Sequence, residues 1–105
     1  MILSIREAAE DDILRQVERY AAQRLPKIAH RFHDAILAAF DALDTMPEAG
    51  PPHPAANTAL VGLRRWPVKG FDEYWIYYLV QSDTLDIVRV LHSKRDVERI
   101  LSRTG

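Results

Sequence analysis

The sequence predicts an α+β fold: a two-layer sandwich with a helical hairpin packed on a mainly antiparallel sheet, in the order β-α-α-β-β-β-α. Three observations predict it. Two adjacent segments in the first half place apolar residues at spacings of three and four. Three segments in the second half are rich in β-branched and aromatic residues and are joined by short turns. Between them lies "PEAGPPHPAANT", Pro47 to Thr58, which holds four of the six prolines. Neither half alone can close a core, so residues 1–105 are expected to form a single domain, as the length suggests.

The elements follow in order. "ILSI", Ile2 to Ile5, is short and β-prone and reads as a first strand. Glu7, Glu10, Asp11 and Asp12 then favour the positive end of a helix running from about Arg6 to Arg24. Ile13, Val17, Tyr20 and Ala21 form its apolar stripe, with Leu14 and Leu25 beside them. Pro26 ends that helix and suits the first turn of the next, so "RLPK" is a tight joint. Ile28, Phe32, Ala35, Ile36, Ala39, Phe40 and Leu43 mark the second helix. The proline stretch is a semi-rigid loop, and His53 within it reads as exposed.

Strands are expected at Leu60 to Val68, Tyr74 to Val80 and Thr84 to His92, as an antiparallel meander. Pro67 donates nothing to a ladder, so it belongs at an edge, a bulge or a strand end. "RDVERILSR" closes the chain as a short helix. Val97, Ile100 and Leu101 face inward, Arg95, Arg99 and Arg103 form a stripe, and Asp96 sits where a cap is needed.

Composition excludes several classes. Hydrophobic residues make up 48% and charged residues 28%, ordinary values that argue against disorder. The absence of cysteine excludes disulfides and thiolate metal sites. The apolar runs are far too short for a membrane span, and the N-terminus lacks a basic start before an apolar centre, so a cytoplasmic protein is expected. His30 and His33 stand at i and i+3 with no third ligand in a known motif, so no metal is expected. No phosphate-cradling loop, nucleophile elbow or carboxylate dyad appears, and no cofactor or small-molecule ligand is expected. The net charge of −1 argues against general nucleic-acid binding. Basic residues nevertheless dominate the second half, which leaves room for a local anion-binding surface.

"VRVLHSKRD", Val88 to Asp96, is the most suggestive stretch. A β-branched run ends, without glycine or proline, in His92, Lys94, Arg95 and Asp96. Arg89 lies between two apolar neighbours and needs a carboxylate partner; Asp41, Asp44, Asp72 and Glu73 are the candidates. His92 reads first as a strand-end histidine bonded to the helix start or to Asp96. Arg64 and Arg65 must point to opposite faces, so only one can join Arg95.

Four local features resemble the ParE/RelE superfamily of toxins from bacterial type II toxin–antitoxin systems. Ala8 or Ala9 with Asp11 or Asp12 is similar to the family's first-helix start. Leu43, Pro47 and Gly50 are similar to its helix exit. "GLRRWPV" followed by "YWIYY" and the final "IVRVLHSKRD" resemble its sheet. The resemblance spans nearly the whole chain, and it implies a RelE/ParE-like domain neutralised by a cognate antitoxin that folds over hairpin and sheet. It implies antitoxin contacts at Leu14, Leu25, Leu37, Phe40, Trp75 and Tyr77. It implies target contacts at Arg64, Arg65, His92, Lys94, Arg95 and Arg99.

The branches of the family differ. RelE-like members cut mRNA on the ribosome, and that chemistry would fall to Arg65, His92 and Arg95. ParE-like members inhibit DNA gyrase. Arg95 matches a basic RelE position, but the middle-strand arginine falls near Trp75 and the C-terminal tyrosine near Leu101. The paired lysines of the second strand are replaced by Arg64, Arg65 and Trp66. Cleavage also needs both a base and an acid, and only His92 offers itself. The ParE branch and a gyrase-directed, non-enzymatic action are therefore expected. A RelE-like ribosomal nuclease and a non-toxic plasmid-maintenance relative are the alternatives. The slight acidity departs from the family's basic members and works against strong nucleic-acid affinity.

Overall fold

The structure is a computed structural model that describes all residues, Met1–Gly105. Strand β1 (Ile2–Ile5) leads into α1 (Glu7–Ala22) and α2 (Pro26–Thr45). A single 3-10 turn at Thr58–Leu60 precedes β2 (Arg64–Val68), β3 (Phe71–Gln81), β4 (Thr84–His92) and α3 (Val97–Ser102). The expected order is the order found. Two strand starts differ: Leu60 to Leu63 is not strand, and β3 begins at Phe71, three residues before Tyr74. Gly62 takes φ +88°, a left-handed turn that stops the ladder before Arg64.

The sheet order is β1-β4-β3-β2. β2, β3 and β4 form the antiparallel meander, and β1 returns parallel to β4. Pro67 lies on the edge strand β2, at a register shift between Pro67 and Val68. Both expectations for a residue without an amide proton are met there. A second irregularity lies between Tyr77 and Tyr78, opposite Val88. It resets the alternation of β4, so that Ile87 and Val90 share one face although three residues apart.

The helical hairpin covers that face. Phe32, Ile36, Leu43, Ile76, Tyr78, Leu85 and Ile87 are essentially solvent-free there. The joint between the helices has a physical basis. Arg24 adopts φ 58°, Leu25 N–H donates to Tyr20 C=O and Arg24 N–H to Ala21 C=O. This is the double closure of a left-handed helix end, and Pro26 starts α2 directly after it.

The opposite face has a core of its own. Leu60, Leu63, Tyr77, Leu79, Val88, Leu91 and Leu101 cluster under the proline-rich loop and α3. Asn57 pins this cover to the chain end, its amide donating to Leu101 C=O and Thr104 C=O. His53 is part of the same cover. It is not solvent-exposed as the sequence suggested, because its ring packs edge-on to Tyr77 and bonds Glu98 at 3.2 Å.

Gly50 fixes the route of the loop. Its N–H donates to the Tyr78 hydroxyl at 2.9 Å, and that hydroxyl donates to Pro47 C=O at 2.8 Å. Burial pushes the Tyr78 phenol above its ordinary pKa, so it stays a proton donor. A Cβ on Gly50 would strike the Tyr78 hydroxyl and lie 2.6 Å from Arg65 C=O, neither of which can yield without moving the ladder. Gly50→Ala is expected to cost about 1–3 kcal/mol in urea unfolding. An unchanged midpoint would contradict this packing.

Two bidentate ion pairs lock the termini to the sheet. Arg6 grips Asp86 at 3.1 and 2.9 Å. Arg89 grips Asp12 at 2.7 Å through both arms. The partner of Arg89 is thus none of the four carboxylates considered from sequence. β1 ends opposite Ile87, so no strand covers the outer edge of β4 from Val88 onward. The N-terminal part of α1 crosses this edge, and Asp12 takes the missing strand's role by also accepting Val90 N–H at 3.0 Å.

Candidate functional site: a cationic groove between α1 and the end of β4

The end of β4 turns sharply without glycine or proline. Arg95 N–H donates to His92 C=O, and Val97 N–H to Arg95 C=O, so backbone bonds close the turn directly into α3. Asp96 caps α3 by accepting Arg99 N–H at 3.2 Å, as expected. Lys94 and Arg95 are left projecting from the turn, both exposed.

His92 is held at both ring nitrogens. Nδ1 faces the Lys94 N–H at 3.0 Å and so must accept. The proton therefore sits on Nε2, which donates to Glu73 Oε2 at 2.9 Å. The Tyr74 ring stands edge-on to the imidazole, centroids 4.9 Å apart. The histidine is bonded neither to Asp96 nor within the helix; its partners are the turn at Lys94 and Glu73 across the hairpin. Ser93 N–H, donating to Glu73 C=O at 2.7 Å, closes the same junction.

A groove of about 300 Å³ opens between this turn and α1, lined by Asp12, Arg15, Gln16, Arg19, Tyr74, Val90, His92, Lys94 and Arg95. Arg15 and Arg19, one helical turn apart, face Lys94 and Arg95 across it. The only carboxylate in the lining is Asp12, and its oxygens are committed to Arg89 and the Val90 amide. Burial, and next Tyr20, raise the Tyr74 phenol, which remains a neutral donor. Arg15, Arg19, Lys94 and Arg95 are in no ion pair, so the groove is lined by four uncompensated cations.

Of the target contacts inferred from sequence, His92, Lys94 and Arg95 meet in this groove. Arg64, Arg65 and Arg99 do not. Arg64 is spent on Glu48 C=O at 3.1 Å and Gly50 C=O at 2.7 Å. Arg65 points to the opposite face, its guanidinium carbon 4.1 Å from the Trp75 ring centroid. Arg99 is exposed on α3 and does not line the groove. The possible nuclease set Arg65, His92 and Arg95 is accordingly split between two faces of the sheet. The sequence reading overlooked Arg15 and Arg19, although their i, i+4 spacing beside Asp12 was a usable signal.

The apolar candidates also divide. Leu14, Leu25 and Leu37 are exposed on the hairpin. Phe40 and Tyr77 are 4% and 2% exposed, so they are core positions and not surface contacts. Phe40 sits on the sheet-facing stripe of α2, and Tyr77 lies under the loop cover. Trp75 is half-buried beneath Arg65. An apolar surface missed from sequence lies on β1, where Ile2, Leu3 and Ile5 are all exposed. No three acidic or histidine side chains converge to hold a metal; His30 and His33 are exposed on α2. No helix is long and apolar enough to cross a membrane.

A helical hairpin on one face of a meander to which the first strand returns parallel, with a cationic rim at the last strand end, defines a class of small two-layer α+β domains. The fold is similar to that of a solved chain from a chromosomal ParDE toxin–antitoxin system of P. aeruginosa. The TM-score is 0.71 at 17% identity, over 88% of this chain and 95% of that one. No curated protein matches in sequence. The family of ParE toxins of type II toxin–antitoxin systems (parDE) matches residues 3–97, and the chain belongs to that family.

Proposed function

We propose that this ParE-type toxin arrests growth in the bacterial cytoplasm by binding DNA gyrase through the groove between α1 and the β4–α3 turn, and that a cognate antitoxin neutralises it by covering the hairpin. The observation that carries the reading is the state of His92. Both ring nitrogens are engaged, Nδ1 by the Lys94 amide and Nε2 by Glu73, and beside them the groove offers only cations, the committed Asp12 and the Tyr74 phenol, with no free base. Such a site can bind an anionic partner, whereas 2′-hydroxyl attack on RNA needs two proton-transfer groups. The family assignment supports gyrase as the target, and the exposed Leu14, Leu25 and Leu37 support an apolar antitoxin contact.

The test is induction of the chain alone and together with its neighbouring small open reading frame, scored for plasmid supercoiling and for cleavage of translated mRNA. Growth arrest with loss of supercoiling, relieved by co-expression, is expected. Rapid mRNA cleavage with normal supercoiling would instead establish the RelE-like nuclease. Normal growth without the neighbour, with purified protein leaving gyrase untouched, would overturn a toxic role.

A further inference from the structure

We propose that the cationic groove receives a short carboxylate-bearing segment of the toxin's protein target, and not nucleic-acid phosphates; this rests on the groove being the target-facing surface. Arg15 and Arg19 on one wall and Lys94 and Arg95 on the other converge on a space of about 300 Å³, enough for a few side-chain carboxylates. Guanidinium forks pair with carboxylates in two-bond geometry.

Three features disfavour a nucleic acid. First, a duplex needs a long run of neutralised phosphates, but the cationic strip is short and is flanked by exposed carboxylates. Asp11 and Glu18 lie beside Arg15 around exposed Leu14, and Glu73 and Asp96 lie beside the turn. A phosphate backbone passing through would meet them, while a short peptide would not. Second, single-stranded binding uses open aromatic platforms. The one tyrosine or tryptophan ring in the groove, Tyr74, is only partly exposed and is held in T-shaped contact with both Phe32 and His92, so it is not an open platform. Third, the net charge of −1 supplies no long-range attraction for a polyanion.

The test uses fluorescence anisotropy with the full chain and three probes. These are a short labelled peptide alternating glutamate and leucine, the same peptide with glutamine for each glutamate, and a short duplex DNA. The acidic peptide is expected to bind, and Lys94→Glu with Arg95→Glu to weaken it by about tenfold or more. Arg31→Glu on α2 matches one charge change away from the groove and should have little effect. Both altered turn residues are exposed, and an unchanged thermal melt confirms that the fold survives. Equal binding of the glutamine peptide, displacement by duplex DNA at matched phosphate, or an equal loss with Arg31→Glu would overturn the proposal. Supercoiling inhibition by the wild-type chain is measured alongside and reports on gyrase separately. Acidic-peptide binding without gyrase inhibition removes gyrase but keeps an acidic protein target. Gyrase inhibition without acidic-peptide binding removes the groove chemistry alone.

Discussion

Replacing Asp12 with alanine is expected to lower the unfolding free energy by about 3–5 kcal/mol. The Asp12 side chain is 6% exposed and that of Arg89 18%, so the guanidinium would be left largely buried without its counter-charge. The Asp12 carboxylate is the main reason Arg89 is held above its ordinary pKa despite desolvation; without it, a guanidinium is still too basic to escape by losing its proton. A domain of this size has roughly 5–15 kcal/mol in total, and the variant would be marginal at best. Asp12→Asn keeps an acceptor for the Val90 amide and should fall between. Combining Asp12→Ala with Arg89→Met removes both charges and should restore most of the loss, leaving about 1 kcal/mol for the unmade Val90 bond. Urea unfolding of the four proteins settles it. A single Asp12→Ala variant within about 1 kcal/mol of wild type would show that the pair is a solvated surface contact.

This pair also shows where sequence reasoning stops. Helix and strand identities followed from local periodicity, and the joint at "RLPK", the edge placement of Pro67 and the Asp96 cap all rest on properties of single residues. Arg89 announced by its apolar neighbours that it needed a carboxylate. The choice of Asp12 depended on a fact with no local signature: β1 pairs only with Thr84 to Ile87, and α1 crosses the edge of β4 beyond them. The four candidates considered were discarded by topology, not by chemistry. The bulge opposite Val88 had the same effect on the two faces of β4, because one extra residue inverts the alternation beyond it.

The candidate rim was half legible. The turn after β4 gave His92, Lys94 and Arg95, because a strand that ends in cations without a solvent-turn residue is unusual. Arg15 and Arg19 were hidden in a helix whose polar face carries many charges, and only the crossing of α1 over β4 selects them. Arg64 and Arg65 misled for the opposite reason. Opposite faces were expected, with one of the two joining Arg95, yet one is consumed by loop carbonyls and the other by an indole face on the far side of the sheet. Phe40 and Tyr77 misled because an amphipathic stripe says which residues are apolar and not which of them remain uncovered after packing.

Phe32 is where stability and the groove meet. Its side chain is fully buried and its ring is surrounded by three others: Tyr20 at 5.8 Å, Phe71 at 5.1 Å and Tyr74 at 5.2 Å between centroids. Phe32→Ala removes the centre of this cluster and leaves a cavity that the hairpin and β3 can only partly close, at a cost of about 3–5 kcal/mol. Phe32→Leu retains much of the volume but loses the edge-on ring contacts, each worth about 0.5–1.5 kcal/mol, and should cost correspondingly less. Tyr74 carries the effect outward, because the same ring that rests on Phe32 stands against His92 in the groove wall. A leucine variant that is folded but binds the acidic peptide more weakly than wild type is therefore expected, with the melt and the anisotropy titration read on the same sample. If Phe32→Ala unfolds within about 1 kcal/mol of wild type, the aromatic cluster is not the keystone between hairpin and sheet. If Phe32→Leu binds the peptide as wild type does, Tyr74 holds its place without support from α2.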